Sequence, residues 1–418
     1  MPRRKGTRIS WSPPHERAGI FQGRPFDNIR HSPNPPRPAK GPRTMHENDR
    51  DLLPEGLGDR LPQQAWASQT VRRAAHDVLA SHGYARVETP VLEFEKALAS
   101  RMAGVRVRRM FRFMDPVSLR MLAMRSDITA QVARIAATGL AQAPRPLRLS
   151  YSGQVVTVKG DGLDPARERL QVGAELIGAD SVHAAAEIVE LAIEALRAAG
   201  AAGVSVDFTL PDLVDTLSAG ALPLPASGIE AVRQMLDAKD AGGLVDAGGE
   251  AYLPLLYAVG QFDEAIERLA AFDVDGVLAS RIAGLRAIAA RVNGKARLTL
   301  DPSERHGFEY QSWFGFTIYA DGIPGSMGRG GTYAILGGAG LDPEPATGFS
   351  LYPDPLIEAL TAVAAEERRL FLPLGHDREV AARQRAIGWI TVAALSETDE
   401  PMALGCSHRL EGGQAVPV

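Results

Sequence analysis

The sequence predicts an α+β protein: a core of strands and helices, a helical insertion at about 212–292, and a compact C-terminal α/β unit over 358–418. Three observations carry this: an apolar helical period over 59–82, a train of β-rich runs that stops near 210 and resumes at 297, and an Ala-rich, helix-periodic stretch between them. The chain has 418 residues, 45% hydrophobic and 23% charged, enough for two or three domains with a sizeable core.

Residues 1–44 are expected to be a disordered, basic, Pro-rich extension. They hold nine prolines and ten Lys/Arg against only Glu16 and Asp27, with neither helical nor alternating apolar period. Met45 stands as an alternative start. The whole chain has a formal charge of −4, so the rest carries near −12. Such an acidic body argues against a broad nucleic-acid surface, which needs clustered Lys and Arg.

From Asp59 to His82, Leu61, Ala65, Val71, Ala75, Val78 and Leu79 recur at helical spacing, and Gly83 suits a left-handed stop. Tyr84–Leu92 is a strand leading into a turn at Pro90. Val107–Met114 and Ser118–Met124 pair as a hairpin around Asp115-Pro116. Ser126-Asp127 offers a capping side chain to a short helix containing Ile128, Val132 and Ile135. Leu147–Val158 and Leu170–Leu176 are strands separated by the polar loop Lys159–Glu168, and a helix and the strand Val204–Leu210 follow. The insertion has Gly-rich breaks at Ala241–Gly249. Strands return at Arg297–Leu300, Tyr310–Tyr319 and Gly331–Leu336, before a helix over Pro353–Glu367. The tail reads strand, helix, strand across Leu370–Leu374, Glu379–Ile387 and Trp389–Leu395.

Several chemistries have no support in the sequence. A single Cys406 leaves no disulfide or thiol-rich metal site, there is no His-Glu-x-x-His or Gly-x-Ser-x-Gly, and Val182–Val206 carries too many charges to span a bilayer. No metal or cofactor is expected, and a cytoplasmic location fits the cysteine count. Gly328-Arg329-Gly330-Gly331-Thr332-Tyr333 lacks the Gly-Lys-Ser/Thr ending of a phosphate loop and reads as a glycine-rich strand.

Four segments together resemble the class II aminoacyl-tRNA synthetases, and specifically the histidyl branch, over most of residues 50–357. Asp51-Leu52-Leu53-Pro54-Glu55-Gly56 and Gly83-Tyr84 through Thr89-Pro90-Val91-Leu92-Glu93 resemble the entry segment and motif 1, which implies self-association there. Arg125-Ser126-Asp127-Ile128-Thr129 resembles the turn that meets the amino group of histidine. Gln171-Val172-Gly173-Ala174-Glu175 resembles the Gln-x-Gly-x-Glu strand, whose alternate residues share one face. Arg305-His306-Gly307-Phe308-Glu309-Tyr310-Gln311 resembles the histidine-specific motif, with His306 at its arginine position and Gln311 at its second tyrosine. The resemblance implies a class II synthetase-like antiparallel sheet flanked by helices over 45–357. It also implies histidine binding by Asp127, Thr129, Gln171, Glu175, Arg305, His306 and Tyr310.

The resemblance further implies a silent enzyme. The motif 2 arginine position holds Thr157 and the motif 3 position holds Pro355, and neither replaces a guanidinium in bidentate phosphate recognition. Lys159, Arg167 and Arg169 are nearby cations. With about 60 residues after the core, the tail is short for a tRNA-binding domain. These features, with Phe113–Ser118, Gln131–Ala136 and Phe371–Arg378, resemble the regulatory subunits of ATP phosphoribosyltransferase. That family implies a catalytic phosphoribosyltransferase partner, L-histidine as effector, no tRNA and no membrane. A catalytically active synthetase-like enzyme and a stand-alone amino-acid-binding protein are the alternatives.

Overall fold

The computed structural model describes residues 52–99, 109–160, 164–179, 181–305, 311–336, 342–362 and 368–418. The fold is organised around strand β6 (Glu168–Ile177), in which successive residues alternate faces. Leu170, Val172, Ala174 and Leu176 enter the main core, whereas Gln171, Gly173, Glu175 and Ile177 point the other way. One strand therefore serves both a core and a polar site.

β6 belongs to a nine-stranded sheet. Its neighbours are β1 (Ala85–Arg86) and β5 (Leu147–Val156) on one side. On the other side follow β12 (Glu344–Leu351), β11 (Gly328–Ile335), β10 (Gln311–Tyr319), β7 (Ser205–Thr209), β9 (Arg297–Leu300) and β8 (Gly260–Gln261). The run from β5 to β7 is antiparallel throughout, and the pairs β1/β5 and β7/β9 are parallel.

Helix α4 (Val182–Ala198) covers the core face, burying Ala185, Ile188, Val189, Leu191, Ala192, Ile193 and Ala195, with the Ser181 hydroxyl capping its first turn. Helices α1 (Pro62–Ser81) and α9 (Ala279–Val292) pack beside it, and α10 (Asp354–Ala362) packs against α1. As the spacing predicts, α1 stops before Gly83, whose φ of +81° only glycine adopts without strain. On the opposite face, α3 (Thr129–Ala137) joins Leu147, Leu149, Tyr151, Tyr333, Ile335 and Ala346 in a second core. The hairpin β3 (Arg112–Met114) and β4 (Met121–Met124) forms around Asp115, whose carboxylate accepts from the Val117 and Ser118 amides, and β2 (Leu92–Phe94) completes that small sheet.

The insertion runs from α5 (Leu213–Ser218) through α6 (Ala226–Asp237) to α9. Its Gly-rich break is in part a helix, α7 (Ala241–Asp246), because the Asp240 carboxylate accepts from the Gly243 amide and Leu244 is fully buried. Strand β12 is not readable as a strand from sequence: Pro345 and Gly348 punctuate it, and burial between β6 and β11 overrides their weak propensity. The tail adds to β13 (Arg369–Leu372), α11 (Arg378–Ala386) and β14 (Ile390–Ala393) an unanticipated hairpin of β15 (His408–Glu411) and β16 (Gln414–Pro417). Gly412 and Gly413, both at positive φ, supply its turn.

Phe208 on β7 is fully buried and meets Phe262 and Phe314 at ring-centroid distances of 5.6 Å each. Phe208→Ala should destabilise the protein by about 3–5 kcal/mol in urea unfolding, the usual cost of emptying a packed aromatic site. A loss below about 1 kcal/mol would mean that the insertion does not share the sheet's core.

Candidate functional site

Directly opposite residues on antiparallel strands share a face, so the sheet register spells out the site. One row reads Glu175, Gly348, Gly331, Gly315 and Thr209 across β6, β12, β11, β10 and β7. The row one pleat along reads Tyr151, Gly173, Ser350, Arg329, Thr317 and Asp207. A strip without side chains thus begins at Glu175 and is bordered by polar groups.

Glu175 is buried at the head of that strip. The Tyr333 hydroxyl lies 2.7 Å from Oε2 and that of Tyr151 3.0 Å from Oε1. Burial is the larger influence and pushes the Glu175 carboxyl from its ordinary 4.5 up to about 8, against the pull of these two hydrogen bonds. When the carboxyl holds its proton, Tyr151 can accept from it and turn its own hydroxyl to Ser350 or Thr129, each 3.0 Å away. Burial likewise holds both tyrosine hydroxyls well above their usual range. A Cβ at Gly348 would stand 1.6 Å from Glu175 Oε2, so this position has no room for any side chain.

Gln171 joins Glu175 to the turn before α3. Its amide nitrogen donates to Asp127 Oδ1 at 2.7 Å and to Ser350 Oγ at 2.8 Å, while its oxygen accepts from the Ile128 amide at 2.9 Å. Asp127 Oδ1 also accepts from the Thr129 amide at 3.0 Å. Asp127 therefore holds the amide of the residue that opens the helix and faces Gln171 at once. Arg125, from the same turn, is bound to the carbonyls of Gln154 and Thr89 and lies over Gly153.

Four residues singled out in the sequence, Asp127, Thr129, Gln171 and Glu175, are thus brought together. Arg305 is held at the insertion instead: its amide donates to Asp237, and its guanidinium stands 3.5 Å from Glu230, both on α6. His306 and Tyr310 lie outside the described residues. Sequence reasoning did not assign Tyr151, Tyr333 and Ser350 to the site; Tyr151 and Tyr333 stand in segments it read as strands, where alternation along the strand was the available signal. The space beside Gly173 is occupied by the Tyr151 ring and hydroxyl, with the oxygen 2.4 Å from an added Cβ.

The two expected phosphate positions carry no guanidinium, and the arginines near them are engaged within the chain. The Thr157 hydroxyl donates to the Lys159 carbonyl, and Pro355 occupies the first turn of α10. Arg167 donates to the Glu55 carbonyl and lies 4.9 Å from the Phe111 ring centre, and Arg169 pairs with Asp164 at 2.8 Å. Among the described residues, no group of three or more His, Cys, Asp or Glu could hold a metal, and no helix is long and apolar enough to cross a membrane.

The sheet order and the Gln-x-Gly-x-Glu strand define a class II, histidyl-type synthetase fold. The histidyl-tRNA synthetase family profile matches residues 56–356. A Bacillus halodurans structure described as an ATP phosphoribosyltransferase regulatory subunit/histidyl-tRNA synthetase superposes with a TM-score of 0.73 at 23% identity, covering 86% of this chain and 97% of that one. Among curated relatives, the ATP phosphoribosyltransferase regulatory subunit of Rhodospirillum centenum is 42% identical over 87% of this chain and 95% of its own length. That of Paramagnetospirillum magneticum is 41% identical over 87% and 96%. The chain belongs to the ATP phosphoribosyltransferase regulatory subunit family, within the histidyl-tRNA synthetase-like proteins.

The raised Glu175 carboxyl has a consequence for stability. Its folded state holds a proton that the unfolded chain releases near 4.5, so its contribution is complete below pH 4.5 and is lost as pH rises through about 8. Glu175→Gln should flatten that part of a Tm-against-pH profile and raise Tm relative to the parent at pH 8. An unchanged slope between pH 4.5 and 8 would show that Glu175 ionises normally.

Proposed function

We propose that this chain is a non-catalytic regulatory subunit that assembles with a catalytic ATP phosphoribosyltransferase and conveys feedback by L-histidine in the first step of histidine biosynthesis. The observation that carries this reading is the meeting of Asp127, Thr129 and Gln171 with a buried Glu175 at the head of a side-chain-free strip. An ammonium group beside Asp127 would make a charge-assisted hydrogen bond worth about 1.5–3 kcal/mol. The tyrosine-lined carboxyl of Glu175 can accept from, or donate to, an imidazole nitrogen. The names of the relatives supply the partner, and their identity over most of the chain supports carrying it here.

Thr157 and Pro355 support the non-catalytic part of the reading. Losing one preorganised charge at a reacting phosphoryl group costs on the order of a hundredfold to a thousandfold in rate, and two such positions lack it. ATP-dependent pyrophosphate exchange should therefore be undetectable, and robust exchange would restore the synthetase reading. Self-association through the motif 1 region fits the exposure of Leu53, Val91 and Leu92.

The deciding experiment is phosphoribosyltransferase activity of the catalytic subunit with and without this chain, each titrated with histidine. Activity should appear or rise with the chain and should become histidine-sensitive, with a coupling of about 1–3 kcal/mol, or roughly 5- to 150-fold. No complex and no change in activity would overturn the proposal. Asp127→Asn keeps the oxygen that accepts from Thr129 and Gln171 but removes the charge. It should weaken histidine binding about tenfold to a hundredfold in calorimetry with little change in Tm.

A further inference from the structure

An amino acid carries its carboxylate on the same carbon as its ammonium. The group that receives the carboxylate must therefore stand beside the ammonium site. In this site the ammonium end is marked by Asp127, and Gln171 links Asp127 to Ser350 Oγ. The residue opposite Ser350 on the next strand is Arg329, on the same face and beside Gly331 of the strip.

The other cations of the site motifs are turned elsewhere. Arg125 is bound to Thr89 and Gln154, Arg167 to Glu55, Arg169 to Asp164, and Arg305 to Glu230. Arg329 itself has an interaction within the chain, and five N–H donors in a planar fork give it capacity for a carboxylate as well. A second observation comes from Thr317, opposite Arg329 on β10. Thr317 is 1% exposed, and its Oγ1 has no hydrogen-bond partner among the described residues. A buried hydroxyl left unpaired is costly, and a ligand oxygen would satisfy it. Asp207 is next along the row, beyond Thr317 and away from Ser350, where it accepts from the Thr299 hydroxyl. Asp207, Glu304 and Arg329 all act on Tyr319, so the two carboxylates are the acidic neighbours of Arg329 on that side of the row.

We propose that Arg329, with the Thr317 hydroxyl beside it, receives the α-carboxylate of the bound amino acid and makes the pocket selective for ligands that carry one. This assignment rests on the reading that the pocket binds histidine.

The test is calorimetric titration of the full chain with L-histidine and with L-histidinol, which keeps the imidazole and ammonium but replaces the carboxylate by a hydroxymethyl group. The unmutated chain should prefer histidine by about tenfold to a hundredfold. Arg329→Met should lower histidine affinity by a similar factor and leave histidinol within about threefold, so that the preference collapses. Arg329→Lys, which keeps the charge but not the fork, should fall between. The ratio in the unmutated chain needs no substitution, so an absent preference overturns the assignment even if a variant folds poorly, and Arg329→Lys tests the residue itself with its charge kept. Histidine binding without preference over histidinol, or a preference retained in folded Arg329→Met, overturns the assignment alone. An unmutated chain that binds neither ligand overturns the histidine reading, and the assignment with it.

Discussion

An ionised carboxylate in the interior of a sheet loses several kcal/mol of hydration unless its surroundings replace the water. Glu175 meets that demand by holding its proton to about pH 8 and by engaging Tyr151 and Tyr333. The Tyr151 ring can stand over the sheet only because Gly173 leaves the space, Gly348 leaves room for the Glu175 carboxyl itself, and Ser350 and Gln171 then tie Tyr151 to the Asp127 turn. Polar groups at such a depth are stable only as a connected set. The site is therefore one network, and α3, β5, β6, β11 and β12 are each committed to it.

The same network links the site to the chain's architecture. Asp127 both accepts from the first amide of α3 and is the acidic member of the network, so the geometry of α3 sets where its carboxylate stands. At the far end of the sheet, the ammonium of Lys239 at the end of α6 donates to buried Asp301 and to Ser303. With the Asp237 contact to Arg305, this fixes the segment after β9 to the helical insertion.

Much of this was legible in the residues. Helical spacing with Gly83 located α1, Asp115-Pro116 located the hairpin, and the period-two pattern of Gln171 to Glu175 placed three residues on one face. What was not legible depends on distant partners. Strand β12 contains Pro345 and Gly348 and is a strand because β6 and β11 flank it. Helix α7 forms across Gly242 and Gly243 because Asp240 caps it and Leu244 finds a core. Tyr151 and Tyr333 lie 182 positions apart in the chain and become one site only through Glu175, which no local pattern encodes. The Gly412-Gly413 turn, by contrast, was a local signal that went unread.

Gly348 leaves Glu175 no tolerance for even a methyl group, and the neighbouring strip is made of backbone alone. A surface of this kind offers evolution almost nothing to adjust, since the smallest mutational step already collides with the carboxyl. Changes in what the protein recognises would have to be written on the rim, in residues such as Asp127, Ser350 and Arg329. The floor would then persist through divergence in what is recognised, with every change confined to its border.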